Sequence, residues 1–213
     1  MESPRTARGP LRRPAADLLC RAHRLPATHR GAQGTPSANN TPGNRDTGQV
    51  WTDTSGNVWI FGGNDTANNH YNDLWKYSNG EWTWMGGSDV PNQAGIYGTL
   101  GTPSAANIPG ARGGAIHWID SSGNIWLFGG IGYDSAGTNG YLNDLWKYSN
   151  GEWTWMGGSN LANQKGVYGT MGTNSANNIP GARRRSIAWV DSQGKRVALR
   201  RNRLRLSRDE RLP

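Results

Sequence analysis

The side chains able to hold or act on a ligand lie in segments rich in Asn, Ser, Thr and Gly. Tyr71, Tyr97, Tyr133, Tyr141 and Tyr168 are scattered through these segments. A tyrosine offers a ring that stacks and a hydroxyl that hydrogen-bonds, a mix suited to sugars or peptides. Asp65 and Asp134 stand among Asn residues and offer oxygen ligands to Ca²⁺, though without EF-hand spacing. An Asp in such a loop more often shapes a turn. His70 and His117 each lack a second His at metal-binding spacing. The single cysteine, Cys20, excludes an intrachain disulfide framework and a Cys-rich zinc site. No nucleophile elbow, P-loop or GxGxxG is present. The expectation is a binding protein and not an enzyme, with no catalytic residue, metal or cofactor.

The elements that must position these residues are repeated. Asn72 to Gly87 reads NDLWKYSNGEWTWMGG, and Asn143 to Gly158 reads the same sixteen letters. Identity continues at 17 of the 25 positions of 88–112 against 159–183. Upstream, WTDTSGNVWIFGG (51–63) matches WIDSSGNIWLFGG (118–130), and GTPSANNTPGNR (34–45) matches GTPSAANIPGAR (101–112). A third copy starts at Gly181-Ala-Arg and reaches Gly194.

Within each copy the local signals are β. Val58-Trp-Ile-Phe61 and Ile125-Trp-Leu-Phe128 are β-branched and aromatic runs between Ser-Gly-Asn and Gly-Gly. An Asn-Gly pair separates the next two runs, a hairpin signal. Strands A to D are predicted at about 48–53, 57–62, 72–77 and 81–85, and again at about 113–119, 124–129, 143–148 and 152–156. No segment of the repeats has a helical apolar period. Antiparallel order puts the long B–C connections (64–71 and 131–142) and D–A connections (about 87–112 and 158–183) on one face. That face, carried on a rigid scaffold, is the expected binding surface. Its candidate residues are Asp65, Tyr71, Tyr97, Asp134, Tyr141 and Tyr168.

The order Arg, strand A, Trp-Leu-Phe-Gly-Gly, Asn-Asp-Leu-Trp-Lys-Tyr, Trp resembles a kelch repeat. It is most similar to the long kelch repeats of bacterial proteins related to the galactose oxidase central domain. The signature falls on Arg45, Gly62, Gly63, Trp75, Tyr77 and Trp82, and again on Arg112, Gly129, Gly130, Trp146, Tyr148 and Trp153. The resemblance covers about 34–194. It implies an all-β, partial β-propeller: blade 1 at about 46–87, blade 2 at about 112–158 and the start of a third at about 182–194. The resemblance also implies export or an extracellular place, although the N-terminus has no signal-peptide h-region. Galactose oxidase relatives use copper with a Tyr–Cys crosslink, and the repeats here contain no cysteine. A remnant of such an oxidase, lacking its active site, is the alternative reading. Propellers close with about four to eight blades. Two blades leave apolar ends uncovered, so self-association is expected.

Charge divides the 213-residue chain in three. Residues 1–33 carry seven basic against two acidic side chains, 183–213 carry eleven against three, and 34–182 carry five against ten. The net +8 therefore belongs to the ends, while ten of eleven tryptophans lie between them. Segments 1–33 and 195–213 read as disordered basic flanks where the repeat pattern stops. A frameshift or misplaced boundary would explain them, and translation of the neighbouring frames tests that. Arg-rich ends can bind nucleic acid through phosphates. No aromatic residue follows Trp189 for base stacking, so nucleic acid ranks below protein or carbohydrate as a partner. No apolar run is long enough for a membrane span.

Overall fold

The computed structural model describes residues 30–190 and 196–199. Every strand pairs antiparallel, and no helix occurs among the described residues. The first sheet has the order β1 (Gln49–Thr52), β2 (Val58–Asn64), β3 (His70–Ser78), β4 (Glu81–Gly86). The second runs β7 (Ile125–Tyr133), β8 (Asn139–Ser149), β9 (Glu152–Gly157). Short β5 (Arg112–Gly113) and β6 (Ile116–Ile119) share the free edge of β7. A third pair joins β10 (Ile187–Val190) to β11 (Arg196–Leu199).

The hairpins follow from their turn residues. Asn79 and Gly80 have φ of 50° and 90°, Asn150 and Gly151 of 52° and 86°. Two positive φ values in a two-residue loop are what a type I′ turn requires, and Asn-Gly supplies them with least strain. The β1–β2 turn is organised by Asp53. Its carboxylate accepts from the Ser55 and Asn57 amides at 3.0 and 2.9 Å and from Trp59 Nε1 at 2.9 Å. Asp120 does the same for β6–β7, accepting from Trp126 Nε1 at 2.8 Å. Burial alone would raise the Asp120 carboxyl, but the bonds from Trp126, Asn124 and Ser122 hold it down at about 2.

The Gly-Gly pairs do not end their strands, as the sequence reading had them. They form bulges, with a register shift between Phe61 and Gly63 and between Phe128 and Gly130. The ladder then resumes, pairing Asn64 with His70 and Tyr133 with Asn139. The B–C connections shrink to 65–69 and 134–138, and Tyr71, Tyr133 and Tyr141 become strand residues. The predicted strand at 113–119 is split in two at Gly114, whose φ is 62°.

Two flank expectations are also corrected. Arg196–Leu199 pairs with β10, so the first residues of the expected basic tail form a strand after the Ser-Gln-Gly turn signal. Residues 30–33, assigned to a disordered segment, dock on β4: Gln33 Nε2 donates to Met85 O at 3.1 Å. The rest of both flanks, 1–29, 195 and 200–213, lies outside the described residues.

The two larger sheets pack on each other through aromatic side chains. Phe61 meets Trp153 edge-on at 5.3 Å, and Trp59 meets Tyr148 at 6.2 Å. Both pairs have the geometry preferred by ring quadrupoles. Trp51, Leu74, Tyr97, Ile125, Leu127 and Trp146 complete the buried cluster. No helix among the described residues is long and apolar enough to cross a membrane.

His117 joins the sheets at β1 and β6. Its ring lies 5.6 Å from Trp51, and its Nε2 is 2.9 Å from Val50 O. A carbonyl only accepts, so Nε2 carries the proton in the neutral ring. Nδ1 is buried with no hydrogen-bond partner. Protonation would place a second N–H there, and burial accordingly pulls the His117 pKa below its ordinary value, with the Val50 bond opposing. Burial lowers His70 as well. Their stabilising contribution is complete above the unfolded value near 6.5 and is lost as pH falls below it. Urea midpoints should drop between pH 7.5 and 5, and His117→Gln, which keeps a donor for Val50, should flatten part of that slope.

Candidate functional site

The most polar group of each sheet is a buried ion pair. Arg112 Nη1 and Nη2 donate to Asp144 Oδ1 and Oδ2 at 2.7 and 2.8 Å. The same guanidinium donates from Nε to Gly110 O at 2.9 Å and from Nη1 to Gly129 O at 3.1 Å. Asp144 Oδ2 also accepts from Trp146 Nε1 at 2.8 Å and Tyr97 OH at 2.6 Å. Both charged side chains are wholly buried. A bidentate fork with added donors is the arrangement that compensates such burial.

The first sheet repeats this around Asp73, with one exchange. Arg45 takes the place of Arg112: its Nη1 pairs with Oδ1, and its Nη2 donates to Oδ2 at 2.6 Å. Trp75 Nε1 donates to Oδ2 at 2.8 Å. Arg30 Nη2 donates to Oδ2 at 2.8 Å, where Tyr97 stands in the second sheet. Burial would raise the Asp73 carboxyl, but Arg45, Trp75 and Arg30 hold it below its ordinary value.

These networks relocate several candidates. Tyr97 is a core residue, 5% exposed, with its ring 4.8 Å from Trp146 and 5.3 Å from Trp155. Burial and the Asp144 charge push its hydroxyl upward in pKa. It offers nothing to a ligand. Asp65 accepts from the Ala67 and Asn69 amides at 2.9 Å each and from Tyr71 OH at 2.9 Å. Asp134 is buried and accepts from the amides of Ala136, Thr138 and Ala162 at 2.8, 2.8 and 2.9 Å. Both carboxylates shape their loops. Tyr71 packs under Arg45, 4.1 Å from its guanidinium carbon. Tyr141 is 42% exposed beneath Arg184, and Tyr168 is 70% exposed. Tyr77 and Trp82 meet at 5.1 Å with their rings tilted, as do Tyr148 and Trp153. Among the described residues no group of three or more His, Cys, Asp or Glu could hold a metal ion.

The B–C and D–A connections meet on one face. Asn92 N donates to His70 O at 2.7 Å, and Asn163 N to Tyr141 O at 2.6 Å. On it lies a polar cleft of about 190 Å³ between the sheets, lined by Asp46, Thr47, Asn64, Asn68, His70, Gly113, Gly114, Ile131, Asn139, Arg184 and Arg185. None of these stood among the candidate binding residues. They come from three copies. The second residue after the signature Arg is Thr47, Gly114 or Arg185, all left-handed with φ of 55°, 62° and 52°. Gly114 N donates to Thr47 O at 2.9 Å and Arg185 N to Gly114 O at 2.8 Å. Thr47 N closes the row on the Asp46 carboxylate at 2.8 Å. The signal was a position shared by three copies, hidden because its residue type changes each time.

No family model matches the chain, and no curated protein matches it. Among solved structures the fold is similar to that titled "Structure of YjhT", with a TM-score of 0.35 and 17% sequence identity. The match takes in 56% of this chain and spans 39% of that one.

Proposed function

We propose that this chain is a non-catalytic binding module, part of a kelch-type β-propeller, that takes a carbohydrate in the cleft between its two sheets. The observation that carries the reading is the cleft itself. Asn64, Asn68 and Asn139 line it, together with one acidic and two basic residues, Asp46, Arg184 and Arg185. Amides and charged forks serve the paired hydroxyls of a sugar. The blade reading is supported by two antiparallel sheets, of four and five strands and of repeated sequence, packed on each other, each carrying the signature Arg on its own Asp. Asp65 and Asp134 are engaged in their loops and Asp73 and Asp144 in ion pairs, which favours binding.

Calorimetric titration of the 213-residue chain with a panel of neutral and acidic mono- and oligosaccharides tests this. Binding of at least one sugar is expected. Asn139→Ala and Arg184→Ala should each weaken it about tenfold, the loss of about one charged or well-placed hydrogen bond, with unchanged thermal unfolding. Failure of every sugar to bind, or affinity indifferent to both substitutions, would sink the proposal.

A further inference from the structure

The repeated segment between sheets acts as an arm that covers the sheet following it. Three copies of the arm are described, and two are docked. In residues 95–112, Gly101 N donates to Trp155 O at 2.8 Å and Asn107 Nδ2 to Trp153 O at 3.0 Å, while Tyr97 reaches Asp144. In residues 30–45, Gly34 N donates to Trp84 O at 2.8 Å and Asn40 Nδ2 to Trp82 O at 2.9 Å, while Arg30 reaches Asp73. The third arm, 166–183, has the same internal shape. Val167 bridges Ile179 as Ile96 bridges Ile108, and Asn178 Nδ2 holds Thr173 O at 3.1 Å as Asn107 holds Thr102 O at 3.0 Å. Arg183 Nε caps Gly181 O at 2.8 Å, as Arg112 caps Gly110 O. Among the described residues, no strand receives it as β4 and β9 receive the other two arms. Tyr168, the twin of buried Tyr97, is 70% exposed, and Met171 is 97% exposed.

We propose that arm 166–183 of one molecule docks on the first sheet of a second molecule, replacing residues 30–45 there and joining copies head to tail. The second copy is identified by the chain's own internal contact. The strand that receives arm 95–112 reads EWTWMG, and so does β4, the strand that 30–45 covers. Asp73, Trp75 and Trp82 stand in the first sheet as Asp144, Trp146 and Trp153 stand in the second. Tyr168 then occupies the place of Arg30, and Arg183 that of Arg45.

The exchange trades like for like, which makes it a low-cost route to association. It also covers the exposed arm. Pair β10–β11 of the donor, next in sequence, must yield to β1 of the receiver. The pair lies beside β6 but is only two strands wide, and two strands contribute little stability of their own in water, so the opposition is small. The contact joins two different surfaces and is heterologous, so copies add in series.

Sedimentation velocity of the whole chain from 1 to about 100 μM, at low and high salt, tests the exchange. A concentration-dependent series is expected. Tyr168→Ala combined with Asn178→Ala should raise the dissociation constant at least tenfold. Arg30→Ala, which loosens the competing arm but leaves Arg45 on Asp73, should lower it several-fold. Circular dichroism of each variant confirms the sheet content. A monomer throughout overturns the proposal. So does association that ignores both loop substitutions or vanishes with salt alone, which would place the contact in the basic ends. Association weakened by Arg30→Ala would likewise refute exchange.

Discussion

Replacing Arg112 with methionine is expected to cost about 3–5 kcal/mol, the loss seen when one partner of a buried ion pair is removed. The same substitution at Arg45 should cost about half as much. The reason lies in what each carboxylate keeps. Without Arg112, Asp144 retains only the neutral donors Tyr97 and Trp146, in a site where neither charge sees water. Without Arg45, Asp73 still faces the Arg30 guanidinium at 2.8 Å as well as Trp75. A buried charge with a cation left beside it avoids most of the desolvation penalty. Arg30→Ala combined with Arg45→Met should therefore recover the full cost of Arg112→Met. Urea midpoints followed by tryptophan fluorescence measure all four proteins at constant slope. Acid gives a second readout. The Asp73 carboxyl is held below its ordinary 3.8, so its stabilisation is present above that value and disappears as pH falls through the lowered one. Arg45→Met should make the first sheet less sensitive to acid, because the folded and unfolded values then draw together. Equal losses for Arg45→Met and Arg112→Met would mean that Arg30 contributes nothing to Asp73.

Local chemistry was legible in the sequence where a few neighbouring residues decide it. Asn-Gly turns, the β-branched and aromatic run of Val58 to Phe61 and the shared face of the long connections follow from spacing of two to four residues. Strand ends were less legible, because a glycine pair reads as a stop when it is a bulge that lets the ladder resume. Long-range partners were hidden. Tyr97 lies in a polar, glycine-rich segment like any surface tyrosine, and only a contact 47 residues away turns it inward. Its counterpart in the first sheet is an arginine, so comparison of repeats does not align the two by type. The cleft was hidden for the same reason: Thr47, Gly114 and Arg185 share a backbone conformation and a hydrogen-bond row but no chemistry. Resemblance between copies marks what packs the sheets together. The positions where copies differ are where a cleft between sheets can acquire its own character.

The Gly-Gly bulges allow a test of how firmly each sheet is tied to the next. Gly62→Ala is expected to cost about 3 kcal/mol, Gly129→Ala about 2, and Gly137→Ala about 1. All three glycines have positive φ, at 60°, 64° and 77°, so each pays the same conformational penalty for a Cβ. They differ in what the methyl meets. Around Gly137 nothing lies within 4 Å. At Gly129 the methyl would stand 2.8 Å from Arg183 O and 2.9 Å from Leu142 O. At Gly62 it would stand 2.7 Å from Arg112 O and 2.8 Å from Tyr71 O. These are backbone atoms that no rotamer change can move aside. The distances at Gly62 and Gly129 are nearly equal, so the difference must come from what holds the opposing peptide. Arg112 is fixed by its bidentate pair with Asp144, whereas the Arg183 side chain donates only to the nearby Gly181 O among the described residues. The Arg183 peptide is tied to the second sheet by two backbone bonds, from Gly130 N and to Leu142 O, each at 2.9 Å. Among the described residues it has no buried ion pair behind it, so it yields more readily than the Arg112 peptide, whose whole sheet must move to relieve the contact at Gly62. Equal losses for Gly62→Ala and Gly137→Ala would show that backbone conformation, and not sheet-to-sheet approach, is why glycine stands at the bulge.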